Sequence, residues 1–153
     1  MQQNIKLVSD TINKDDCIYG NKVLVTLHRR ENHDILDQYF SRINELAESF
    51  PDLEFILPIH PNPNVLKYKH LIPSVTVVDP LSRTDLLKLL KECKLAISDS
   101  GGIQEECSFL NKKVIVCRKI TERLESVGIH SFMCKSPDIL EKLVDEIVVN
   151  YAV

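Results

Sequence analysis

Residues 96–107, AISDSGGIQEEC, run from an apolar stretch through two adjacent glycines into an acidic segment. The chain holds only four glycines in 153 residues, well under the ~7% of average composition. Gly101 and Gly102 side by side therefore mark a place where some group must approach the backbone closely. Before them, Leu95–Ser98 reads as a strand. After them, Ile103, Cys107 and Leu110 fall at i, i+4 and i+7, the spacing of one buried helical face, so a helix is expected over Gly102–Leu110. A short apolar strand that turns directly into a helix is the repeating unit of a parallel α/β sheet.

Working outward, the same alternation continues in both directions. Strands are expected at Lys22–Leu27, Leu53–Leu57, Val75–Val78, Val114–Cys117 and, briefly, Ser131–Cys134. Between them the periodicity predicts helices at Asp34–Phe50, Asn64–His70, from Ser82 through Cys93, from Thr121, and over Ser136–Asn150. Ser82 and Asp85 form an S-x-x-D variant of the capping box. Continuous β-branched runs between helices suit a sheet covered on both faces. The expected fold is α/β, a Rossmann-like parallel sheet with helices on both sides. Residues 1–20 are polar and end in Gly20-Asn21, a turn signal, so they read as a lead-in or linker stub ahead of one domain at 21–153.

Charge and composition narrow the function classes. Nineteen basic and 22 acidic residues are well mixed and give a formal net charge of -3. Polyanion binders usually carry a basic face, so nucleic acid is not an expected partner. Five cysteines, Cys17, Cys93, Cys107, Cys117 and Cys134, have irregular spacing and no C-x-x-C pair. Buried thiols in a reducing compartment are expected. No apolar run approaches the ~20 residues of a membrane span, and no basic-then-apolar leader is visible, so the expectation is a cytoplasmic protein without a membrane partner.

In an open parallel sheet, ligands bind beyond the carboxyl ends of the strands. Those ends carry His28-Arg29-Arg30-Glu31-Asn32, His60-Pro61-Asn62, Asp79-Pro80-Leu81-Ser82-Arg83, Asp99-Ser100-Gly101-Gly102 and Arg118. Asp99 or Ser100 would serve as a plain helix N-cap. Two missing β-carbons at a helix N-terminus also make an anion site, and phosphate is the natural occupant. Neither G-x-x-x-x-G-K-[ST] nor G-x-G-x-x-G is present, which disfavours a P-loop NTPase or a nicotinamide-dependent dehydrogenase. Glu105 should face away from the sheet as an ordinary first-turn acid. Glu106 should flank the buried face, where a carboxylate needs a hydrogen-bonded partner such as a ribose diol. His28 reads equally as a satisfied strand-end histidine, and Arg29-Arg30-Glu31 as surface charge. Metal binding by His28, His33 and His60 lacks a recognised ligand spacing, and no G-x-S-x-G elbow offers a nucleophile.

Five motifs together change the weight of these readings. VTLHRREN (25–32), PIHPNPNV (58–65), DPLSRTDLLKLL (79–90), SDSGGIQEE (98–106) and RKITERLE (118–125) resemble, in order, the carboxy-terminal domain of the non-hydrolysing UDP-N-acetylglucosamine 2-epimerases. The resemblance covers roughly residues 21–150. It implies the C-terminal half of a glycosyltransferase-B-like fold of paired Rossmann domains, with UDP-sugar in the cleft between them. The family reaction interconverts UDP-GlcNAc and UDP-ManNAc without a cofactor, by eliminating UDP to a 2-acetamidoglucal and adding it back. On this pattern Ser100, Gly101 and Gly102 would hold the diphosphate, and Glu106 would hold the ribose hydroxyls. His28 would support the departing UDP as a catalytic residue, with Arg29, Arg118 and Arg123 as further substrate contacts and no metal.

Two departures follow. The family pattern R-x-x-T-E-R-P-E has proline where this chain has Leu124, and the acidic residues that act at C2 and C3 belong to an N-terminal domain outside the motifs found here. The resemblance thus implies a UDP half-site with little or no activity unless an N-terminal epimerase domain joins it. An unpartnered cleft wall would also favour a homo-oligomer. The alternatives are a non-catalytic nucleotide-sugar binding module, a hydrolysing epimerase domain, and the donor domain of a glycosyltransferase. HRREN together with SGGIQEE disfavours the last two.

Overall fold

The computed structural model describes residues 20–59, 61–118 and 131–152. The expected helix from Thr121, together with His60, Arg123 and Leu124, lies outside the described residues.

Among the described residues six strands form one sheet: β1 (Lys22–Thr26), β2 (Glu54–Pro58), β3 (Thr76–Val78), β4 (Cys93–Ser98), β5 (Lys113–Val116) and β6 (Ser131–Met133). Every pairing is parallel, and the order is β3-β2-β1-β4-β5-β6. This is the doubly wound order of a Rossmann domain, in which the chain leaves β1 towards one edge and resumes at β4 towards the other. The carboxyl ends of β1 and β4 therefore diverge into a crevice. All six expected strands form, with ends within about two residues of expectation.

Among the described residues the α-helices are α1 (Leu36–Ser49), α2 (Pro63–Leu66), α3 (Arg83–Glu92), α4 (Gly101–Leu110) and α5 (Leu140–Ala152). Side chains alternate across the strands because successive residues point to opposite faces. Val23, Val25, Phe55, Leu57, Leu95, Ile97 and Ile115 enter one buried cluster with Leu36, Phe40 and Ile43 of α1 and Leu140, Val144 and Ile147 of α5. Leu24, Ala96, Val114 and Val116 enter the other, with Leu87 and Leu90 of α3 and Ile103, Cys107 and Leu110 of α4. The central strands are thus apolar on both faces, which explains their unbroken hydrophobic runs.

Local chemistry sets the helix ends near the crevice. Ser82 accepts from the Asp85 N–H at 3.1 Å and starts α3. Ser100, with extended backbone, is the N-cap of α4 and accepts from the Ile103 N–H at 3.4 Å. At its other end α4 stops at Asn111, which takes the left-handed conformation at φ 58°. Asparagine tolerates that geometry, as helix-terminating positions require. Lys112 follows fully buried and donates from Nζ to the Cys93 carbonyl at 2.6 Å, tying the end of α4 to the start of β4. The region expected as one helix over Asn64–His70 is split, with α2 ending at Leu66 and a 3-10 turn at Lys69–Leu71. Cys93, Cys107, Cys117 and Cys134 are all buried and free. No helix among the described residues is long and apolar enough to cross a membrane.

Candidate functional site

The crevice is built by hydrogen bonds that stitch the ends of β1, β4 and β5. Thr26 and Ser98 sit opposite one another in register, and their hydroxyls meet at 2.5 Å. Asp99, the next residue, is fully buried. Its Oδ2 accepts from the His28 N–H at 3.0 Å, the Arg29 N–H at 2.8 Å and Asn32 Nδ2 at 3.1 Å. Asn32 also donates to the Cys117 carbonyl at 2.7 Å, so its amide spans the ends of β4 and β5. The His33 ring donates from Nε2 to the His28 carbonyl at 2.9 Å, which fixes its tautomer. Both backbone polar groups of His28 are thereby held, and its half-buried side chain is carried on a fixed stem.

Asp99 is therefore not the cap of α4. The two candidates for that role divide the work, Ser100 capping the helix and Asp99 anchoring the loop after β1. The sequence offers Asp99 only as a cap and Asn32 only as part of the rim, and neither pattern signals this anchoring role. A buried carboxylate with three donors looks, in one dimension, like any acidic turn residue.

A cleft of about 240 Å³ opens at this rim. His28, Ser100, Gly102 and Glu106 line it together with Thr26 and Arg83. Pro58, Ile59, Pro80 and Leu81, from the ends of β2 and β3, supply an apolar side. At its floor α4 presents its N-terminus, whose first N–H groups have no acceptor within the helix. A β-carbon added to Gly102 would meet only Ser100 Oγ, at an ordinary 3.6 Å. Among the described residues packing leaves room for a side chain at Gly102, and its absence keeps the helix end open to the cleft.

Glu106 is buried, with 5% of its side chain exposed. Its Oε1 lies 2.5 Å from Arg83 Nη2, at the first turn of α3. Its Oε2 is also buried and has no hydrogen-bond partner among the described residues. Burial pushes this carboxyl above the ordinary glutamate value, Arg83 pulls it back down, and Glu105 adds to the rise. Such a half-satisfied carboxylate is costly unless something completes it. Arg83 itself was seen only as one of the charges on the rim.

Of the remaining expected residues, the described ones, Arg29, Gly101 and Arg118, are not among those lining the cleft. Arg29 and Arg118 both donate from Nε to Glu31 Oε1, at 3.2 and 3.0 Å, in a partly exposed cluster that joins the β1 loop to the end of β5. Gly101 opens α4 beside Gly102. Among the described residues no group of three or more His, Cys, Asp or Glu is arranged to hold a metal ion.

The family model for UDP-N-acetylglucosamine 2-epimerase matches residues 1–147. The chain belongs to this epimerase family. A UDP-N-acetylglucosamine 2-epimerase of Neisseria meningitidis serogroup A is 41% identical over 111 residues, 69% of this chain and 30% of that protein. Among solved structures, an epimerase of this name from Listeria monocytogenes superposes with a TM-score of 0.83 at 28% identity, covering 96% of this chain and 43% of its own. The UDP-GlcNAc 2-epimerase of Neisseria meningitidis bound to UDP-GlcNAc gives 0.76 at 31% identity, covering 96% and 41%. The chain thus spans well under half the length of the relatives it matches. Its sheet is that of one half of a glycosyltransferase-B-like epimerase.

Proposed function

We propose that this chain supplies the UDP-binding wall of a UDP-GlcNAc 2-epimerase cleft, in a cytoplasmic enzyme that needs an N-terminal epimerase domain for turnover. The observation that carries this reading is the juxtaposition of a buried, half-satisfied Glu106 with the N-terminus of α4 in one cleft. The helix end suits a diphosphate, since its free N–H groups and dipole favour negative charge. Glu106 lines the same cleft, and a vicinal diol bound there would complete its unpartnered Oε2. In this reading Ser100, Gly101 and Gly102 hold the diphosphate and Glu106 the ribose, with Arg29, Arg118 and Arg123 as flanking cations.

The chemistry needs little more from this wall than charge stabilisation. In the forward direction a base takes the C2 proton, the C1–O bond breaks, and its electron pair leaves on UDP. Re-addition returns a proton to the other face of C2 and the UDP oxygen to C1. Oriented N–H groups stabilise the developing UDP anion, and His28, whose backbone is held by Asp99 and His33, is the side chain assigned to support the departing UDP. The proton carriers at C2 and C3 belong to the opposite wall, which would also exclude water.

The test is a calorimetric titration of the chain with UDP, beside Glu106→Ala and with UMP and ADP as controls. UDP should bind saturably, more tightly than either control, and lose at least roughly tenfold in Glu106→Ala. The chain alone should not convert UDP-GlcNAc, and should do so once supplied with the N-terminal domain of a relative. Absence of binding by the folded chain sinks the reading. Binding that never yields turnover in the joined protein would make this a non-catalytic nucleotide-sugar module.

A further inference from the structure

The geometry points to Arg83 as a positioning residue that holds the Glu106 carboxylate with Oε1 engaged and Oε2 presented to a ribose diol; this rests on the ribose reading above. Arg83 opens α3, immediately after its Ser82 cap. A cation at a helix N-terminus faces the positive end of the helix dipole, so the position is locally unfavourable. What offsets it lies across the cleft: the guanidinium reaches Glu106 Oε1 at 2.5 Å while keeping 44% of its side chain exposed. Guanidinium has further donors and a planar fork, whereas a buried carboxylate held by one oxygen has few remaining orientations. Fixing Oε1 leaves Oε2, buried and without a partner among the described residues, as the open acceptor of a side chain that lines the cleft.

The pairing also governs charge. A diol that donates two hydrogen bonds is held more strongly by an ionised acceptor, while burial resists ionisation at this site. Among the described residues, the titratable and charged groups around Glu106 are Arg83 from α3, Glu105 and Cys107 on its own helix, and His28 across the cleft. Of these, Arg83 is the one that lowers the Glu106 carboxyl directly. Removing it should leave Glu106 protonated to higher pH and weaken UDP at neutrality.

The experiment uses the full chain with Arg83→Gln, Arg83→Lys and Glu106→Gln, titrated with UDP and 2′-deoxy-UDP between pH 5.5 and about 9, together with the carboxyl-carbon NMR titration of Glu106. UDP's own phosphate ionisation is common to every variant and cancels in the comparison. Wild type should prefer UDP over the deoxy analogue by roughly tenfold or more. Glu106→Gln should erase that preference, and Arg83→Gln should move the pH at which it appears upward. Arg83→Lys should restore the wild-type profile, because a cation is retained. If Glu106→Gln keeps the preference, or folded wild type binds no UDP, the ribose reading fails. If Glu106→Gln erases it while Arg83→Gln keeps the wild-type pH profile, the ribose reading stands and the role of Arg83 is overturned. The carboxyl titration decides without ligand: an unchanged Glu106 midpoint in Arg83→Gln refutes the proposal.

Discussion

Replacing Asp99 tests the architecture of the site more directly than replacing any residue that would touch a ligand. Its Oδ2 gathers the His28 and Arg29 N–H groups and the Asn32 amide at 2.8–3.1 Å. Asp99→Ala strands three donors, and an unsatisfied buried donor costs about 1–3 kcal/mol. Arg29 is exposed and His28 half-buried, so water can reach part of the vacancy and the lower half of the summed range applies, about 3–6 kcal/mol. That is a large share of the ~5–15 kcal/mol that holds a domain together. Asp99→Asn can keep an oxygen at the Oδ2 position but loses the charge, and charged hydrogen bonds exceed neutral ones by about 1 kcal/mol each, giving about 2–3 kcal/mol. Asn32→Ala should couple to Asp99→Ala, because the two share one bond and are neighbours. Urea denaturation at pH 7 would give the stabilities, with an unchanged m-value as the check that unfolding remains comparable. Hydrogen exchange would report the His28 and Arg29 amides, which should lose protection ahead of the sheet. A folded Asp99→Ala within about 1 kcal/mol of wild type, with both amides still protected, would refute the claim that this carboxylate holds the loop.

Three further outcomes follow from the same geometry. Ser100→Ala removes the Oγ that accepts from the Ile103 N–H, a long contact at 3.4 Å, and should cost about 0.5–1 kcal/mol in urea melts, with Ser100→Asp close to neutral. Glu106 has its carboxyl raised above the ordinary 4.5 by burial, so the stability it contributes is present at low pH and lost as pH rises from that value through the raised one. The wild-type minus Glu106→Gln difference in unfolding free energy should accordingly fall across that window and then level off, and a difference that rises with pH would contradict the assignment. Burial pushes the Cys93 thiol up to about 12, and Cys107 is also raised and fully buried. Neither should react with iodoacetamide at pH 8 in the native chain, and mass spectrometry should find both alkylated once urea unfolds it.

The parts of this molecule that obey local rules were legible in one dimension. Apolar runs of four to six residues gave all six strands, and Ser82 and Ser100 marked the starts of α3 and α4 through capping chemistry that involves only neighbours three residues away. The glycine pair at 101–102 located the crevice because helix N-termini and missing β-carbons are themselves local features. The split of the Asn64–His70 region into a four-residue helix and a 3-10 turn was not legible, since so short a segment has no periodicity to measure. The pins were not legible either. Asp99 meets His28, Arg29 and Asn32 across 67–71 positions of sequence, and Asn32 meets Cys117 across 85. No pattern of spacing encodes such contacts, which exist only because the sheet order brings the ends of β1, β4 and β5 together.

Arg83 shows how the two kinds of information can be joined. Taken alone, an arginine at the first position of a helix violates the dipole preference, and Glu106, an acid on the buried side of its own helix, violates the preference for apolar burial. Each violation is unfavourable by itself, and each is the other's remedy across the cleft, at 2.5 Å. The remedy is incomplete, because one carboxylate oxygen stays unmatched. For stability alone, burying a carboxylate against a half-exposed arginine is a poor arrangement, since the desolvation cost falls on Glu106 while the partner stays partly solvated. Retaining a pair that is satisfied on one side only makes physical sense where a third participant completes it, and the third participant must offer hydrogen-bond donors, fit beside a helix N-terminus, and arrive from the side of the cleft on which Gly102 has no side chain.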